Sequence, residues 1–169
     1  MNSSEKKQIE RSRVELTLKS MYFNRYLLVR YVTALFFFAN LYWMIFLAMG
    51  KSSWLYLPLS LIGILLMGIA EQVKIYSRHT NNAKYTRFCY IAMIIANGIL
   101  IAPTCIPSSF VQLYPFLANK PQSRIVAVAI LIIGILLSIL MLYRLNQIRH
   151  NADKQYQRIK EYEKAVNFH

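Results

Sequence analysis

The sequence predicts an all-α integral membrane protein: four antiparallel transmembrane helices with helical N- and C-terminal arms on the cytoplasmic side. Three observations predict it. Ile125 to Tyr143 is a run of 19 residues without a charge, and about 20 helical residues at roughly 1.5 Å each cover a hydrocarbon core roughly 30 Å thick. Of the 169 residues, 56% are apolar and 16% charged, and the charges fall in blocks that frame four apolar runs, outside the range of ordinary soluble domains. Lys and Arg are unevenly shared among the connections: seven precede the first run, four separate the second from the third, six follow the fourth, and three occupy the rest. By the positive-inside rule both termini are cytoplasmic.

Residues 1–30 form the N-terminal arm. It contains neither Gly nor Pro, opens with Asn2-Ser3-Ser4 before Glu5, and repeats Ile9, Leu16 and Phe23 every seventh residue; this reads as an amphipathic helix with an N-cap. Tyr22, Phe23, Tyr26 and Tyr31 with Arg25 and Arg30 form an expected aromatic and basic collar where the chain enters the bilayer. The first apolar run begins too late, and is too long, for a cleavable signal peptide.

The membrane domain, residues 31–143, divides into spans at about 31–50, 53–73, 86–106 and 125–143. Gly50-Lys51-Ser52-Ser53 is short enough to make the first two spans direct neighbours. Pro58 falls in the first turn or so of the second, where a missing N–H costs little. His79 to Asn82 is the expected turn to the third span. Its surplus after Pro103 and Pro107 forms an external loop, 107–124, whose Phe110, Val111, Leu113, Tyr114, Phe116 and Leu117 belong at the interface or over the end of the bundle, as a connector or as a lid. Cys89 and Cys105, about 24 Å apart along one helix, cannot bridge within it.

Residues 144–169 form the C-terminal arm. Leu145, Ile148, Ala152, Gln155, Ile159, Tyr162 and Val166 are spaced alternately by three and four, a heptad seam with one polar interruption. The arm is expected to pack on the N-terminal arm, to pair with a second copy, or to lie against lipid.

Polar residues inside the spans are the functional candidates, because burying them costs energy unless they find partners. Counted from the charged borders, Asn40, Ser60 and Asn97 fall at the middle of the first three spans and Gly134 at the matching level of the fourth. This midplane layer serves either as interhelical packing or as contact for a polar solute. Between the charged borders of the apolar runs, Glu71 and Arg87 among those borders, there is no Asp, Glu, Lys, Arg or His, so nothing there suggests a proton relay or a haem-ligating His pair. HExxH, CxxC, P-loop and nucleophile-elbow patterns are missing as well. The sequence therefore calls for no metal and no cofactor, and does not point to an enzyme. Glu71 is expected to pair with Lys74 one turn on.

The net charge of +13 matches anionic lipid headgroups on the cytoplasmic side better than nucleic acid, because the basic residues border the spans. The expected function is a non-catalytic accessory, scaffolding or protective subunit of a larger membrane complex, with a membrane-protein partner or a second copy. The alternative is a small homo-oligomeric channel or transporter for a polar solute. The expected location is the bacterial cell membrane, from the small size and the lack of external glycosylation sequons.

Overall fold

The computed structural model describes residues 3–78 and 83–167. All of its regular elements there are helical: α1 (Ser3–Arg25), α2 (Leu27–Met49), α3 (Tyr56–Arg78, preceded by a 3-10 turn at Ser53–Leu55), α4 (Lys84–Cys105), α5 (Pro107–Leu113), α6 (Pro121–Arg149) and α7 (Lys154–Asn167). Helices α2, α3, α4 and α6 each contain a stretch long and apolar enough to cross a membrane. The turn expected at His79 to Asn82 lies outside the described residues.

These four helices pack in chain order, α2 on α3, α3 on α4 and α4 on α6, whereas α2 and α6 touch much less. The α4–α6 contact is the most extensive, and the small side of α6 at Gly134 and Ser138, both buried, allows the close approach. Outward faces are as apolar as inward ones: Leu35, Phe38, Ile95, Ile99, Ile132 and Leu136 are all exposed. Helices apolar on every side are of the kind found in a membrane or in the core of a large protein.

Two turns end their helices by the same device. After α2, Lys51 takes a left-handed conformation (φ 48°) while Lys51 N–H bonds the Ala48 carbonyl and Ser52 N–H the Leu47 carbonyl. After α6, Asn151 does so (φ 54°), with Asn151 N–H on Ile148 and Ala152 N–H on Gln147. Both are Schellman stops. Gly50 is therefore not the left-handed residue. It serves a close contact, since a Cβ there would lie 2.8 Å from Pro115 Cγ.

The stop at Asn151 corrects the expected continuous arm. The chain turns between α6 and α7, so the heptad seam is cut: Leu145, Ile148 and Ile159 are buried, Ala152 is exposed, and Tyr162 and Val166 are half-buried. α7 then packs along α1. On α1 Val14, Leu18, Met21, Tyr22 and Phe23 are partly buried, so of the expected seven-residue stripe Phe23 packs inward while Ile9 and Leu16 stay exposed.

Candidate functional site

Of the four residues expected at one level, three come together. Asn40 on α2, Asn97 on α4 and Gly134 on α6 line one cavity of about 390 Å³ at the loose α2–α6 seam. Ser60 does not join them: it is exposed on α3, and its hydroxyl donates to the Leu57 carbonyl of its own helix at 2.7 Å. A residue's level in a span is readable from charged borders, but its azimuth is not, because α3 is apolar on all sides.

The two carboxamides differ. Asn40 Nδ2 donates to the Phe36 carbonyl at 2.8 Å, which ties half of that group to its own helix. Asn97 is 9% exposed, and its carboxamide has no hydrogen bond to any described residue. Its place depends on Gly134, where an added Cβ would lie 2.8 Å from Asn97 Nδ2. The remaining walls are aromatic and aliphatic, among them Phe36, Trp43, Met93, Leu100 and Tyr114. Tyr42, Phe46, Val126 and Ile130 form an exposed rim at the side.

One end of the cavity is closed by the segment 107–124. Phe110 and Leu113 of α5 are fully buried. Trp43 Nε1 donates to the Leu113 carbonyl at 2.8 Å, Ser52 Oγ to the Gln112 carbonyl at 2.7 Å, and Trp54 Nε1 to Gln112 Oε1 at 3.2 Å. Trp43 and Tyr114 stack with centroids 6.0 Å apart, and Phe46 meets Phe116 at 4.6 Å. The loop is thus a packed cap on the bundle.

The opposite, basic end holds polar contacts that sequence reasoning missed. Arg25 at the end of α1 and Asp153 at the start of α7 have fully buried side chains. Arg25 Nη2 donates to Asp153 Oδ1 at 2.6 Å, Nε donates to Oδ2 at 3.0 Å, and Nη2 also reaches Asn151 Oδ1 at 2.8 Å and the Ile148 carbonyl at 3.2 Å. The guanidinium lies over the Tyr156 ring, 4.8 Å from its centroid. Asp153 caps α7 by accepting the Tyr156 N–H at 3.2 Å. Burial alone would raise its pKa; Arg25 and the Tyr156 N–H outweigh this and hold the carboxyl below the ordinary value. Arg25 and Tyr26 are therefore buried rather than part of an interfacial collar, while Arg30 does sit over the Phe23 ring at 4.2 Å. The Tyr26 hydroxyl is buried without a partner among the described residues.

Glu71 also departs from expectation. Instead of pairing with Lys74, it accepts Tyr85 N–H at 3.1 Å, Thr86 N–H at 2.7 Å and Thr86 Oγ1 at 2.9 Å, capping α4 from α3 where Ala83 offers no side-chain cap. Just beyond it, Gln72 Nε2 donates to Thr33 Oγ1 at 2.9 Å, and Tyr90 hydroxyl donates to the Val29 carbonyl at 2.9 Å, joining α2, α3 and α4. Among the described residues no three His, Cys, Asp or Glu side chains gather as for a metal; His79 and His169 lie outside them.

These features define a class: a small all-helical protein with four helices apolar enough to span a bilayer, a side-opening cavity and a charged junction between its arms. No protein-family model, curated protein or solved structure matches the chain.

Proposed function

We propose that this chain is a non-catalytic, multi-pass protein of a cell membrane, with four antiparallel spans and both termini in the cytoplasm, that serves as an accessory or scaffolding subunit of a larger membrane complex. The observation that carries this reading is the joined pair α1 and α7, locked to the bundle through Arg25 and Asp153. A rigid two-helix projection with Ile9 and Leu16 left exposed suits docking of a partner. The basic excess beside it suits anionic lipid headgroups, and the distribution of Lys and Arg supports an orientation with the arms on the cytoplasmic side; the small size and the lack of external glycosylation sequons favour a bacterial membrane.

The test is purification of the full chain in mild detergent, alongside a variant carrying Ile9→Glu and Leu16→Glu. The expected result is a stoichiometric membrane-protein partner with the parent chain and its loss with the variant, whose arms stay docked. Equal recovery by both would remove the arms from the interface. A tag after His169 reached by an impermeant reagent outside intact cells would overturn the orientation.

The second reading, a homo-oligomeric channel for a polar solute, draws support from the shared cavity of Asn40 and Asn97. It is weakened by the outward Ser60 and by the cap over one end. Solute flux in liposomes, abolished by Asn97→Leu with assembly intact, would favour it over the subunit reading.

A further inference from the structure

The cavity at the α2–α6 seam has the chemistry of a ligand site. We propose that it binds a membrane-soluble molecule with a flat conjugated ring that bears a carbonyl oxygen, of the quinone class, entering sideways between α2 and α6. This goes beyond the subunit reading and does not depend on it.

Four features carry the assignment. The first is Asn97, a residue 9% exposed that lines the cavity and whose carboxamide has no hydrogen bond to a described residue. A polar group set in a mostly apolar lining is what fixes the orientation of a ligand there. The amide presents N–H donors for a carbonyl and an oxygen that would accept from the corresponding hydroxyl, so either form of such a ring is held. The second is the wall: Phe36, Trp43, Tyr114 and Phe116 offer faces and edges suited to a planar ring. The third is the volume of about 390 Å³, within the roughly 300–1,000 Å³ of small-molecule pockets. The fourth is the opening. Tyr42 and Phe46 on one helix and Val126 and Ile130 on the other are exposed around it, so an apolar tail can leave between the helices, while the cap segment 107–124 closes one end.

Gly134 fits the same account. A side chain there would collide with Asn97 Nδ2, so glycine keeps the carboxamide where the walls converge.

Trp43 gives a direct readout. The full chain with Trp54→Phe retains Trp43 as its only tryptophan and would be placed in phosphatidylcholine nanodiscs and titrated with a decyl-chain benzoquinone. The expected result is a saturable loss of Trp43 intensity at unchanged fluorescence lifetime, the signature of a bound complex. Asn97→Leu is expected to shift the midpoint upward roughly three- to tenfold, as for loss of one neutral hydrogen bond. Gly134→Ala, which displaces Asn97 without altering a ring, should move it in the same direction. Helix content and Trp43 emission of the quinone-free variants check that both remain folded.

Intensity and lifetime falling together in proportion to added quinone would mean collision in the bilayer and overturn the site. An unchanged midpoint in a folded Asn97→Leu protein would overturn the role of the carboxamide. Displacement of the quinone by decylbenzene at equal concentration would show a cavity that takes apolar matter without reading the oxygen, and would overturn the ligand class. None of these outcomes bears on partner binding by the arms.

Discussion

At one end the bundle is closed by stacked rings and neutral hydrogen bonds, with Trp43, Trp54, Tyr114 and the backbone of α5; at the other it is closed by the Arg25–Asp153 pair and the Glu71 cap. Each end ties together segments distant in sequence, yet they answer to different variables. The ring contacts and indole hydrogen bonds of the aromatic cap join neutral groups, so acid and salt act on them far less. The charged junction holds an ion pair whose side chains are removed from solvent, and such pairs are unforgiving: both partners together roughly break even against apolar replacements, but removing one leaves a buried charge.

Disrupting the charged end should have the largest effect. Asp153→Ala strands the Arg25 guanidinium and is expected to cost about 3–5 kcal/mol, measured as separation of α7 from α1 by cross-linking and as loss of thermal stability. Arg25→Leu with Asp153→Leu should recover much of it. A full loss in the double variant would mean that the pair itself, rather than the stranded charge, sets the cost.

Acid should reproduce part of that loss without a substitution. The folded pKa of Asp153 lies below its ordinary value, so its contribution is fully present above the unfolded pKa and disappears as pH falls through the folded one. The arms should stay docked at pH 7 and pH 5 and separate only below about pH 4, while the Trp43 emission of the capped end holds steady. Separation near pH 6 would contradict the assignment of Asp153.

At the capped end Gly50→Ala drives a Cβ to within 2.8 Å of the Pro115 ring, and overpacking of this kind costs about 1–3 kcal/mol. The change should shift Trp43 emission and leave the arm junction untouched. Glu71→Gln weakens the cap on α4 by about 1 kcal/mol, read as faster amide exchange at Tyr85 and Thr86. Tyr26→Phe removes a buried hydroxyl without a partner, and should be neutral or stabilising by up to about 1 kcal/mol. A loss on that change would reveal a bridging water at the junction.

The four apolar helices were legible because length and charge spacing are one-dimensional signals, and Ile125 to Tyr143 lies entirely within α6. That Asn40, Asn97 and Gly134 come near one another, lining one cavity, was legible for the same reason. The azimuth of Ser60 was not, since exposed Leu59, Leu66 and Met67 make the outer face of α3 apolar too and blur the contrast between its sides. Nor was the break at Asn151: the stretch from Leu145 to Val166 keeps heptad spacing across it, and an Asn is a weak stop signal beside a Gly. The Arg25–Asp153 pair joins residues 128 positions apart, and one sequence has no local pattern that could announce such a contact. Glu71 looked like an ordinary partner for Lys74 because spacing along a helix is visible, whereas the neighbouring N-terminus of α4 is not.

That separation of 128 residues also sets an order of events during synthesis. Arg25 leaves the ribosome well before Asp153 is made, so until then the guanidinium lacks this carboxylate. It can be withdrawn from solvent only after the fourth apolar segment is in place and the chain has turned back at Asn151. Docking of the first helix onto the last is therefore a late step, and a chain stopped short of Asp153 would carry its opening segment loose.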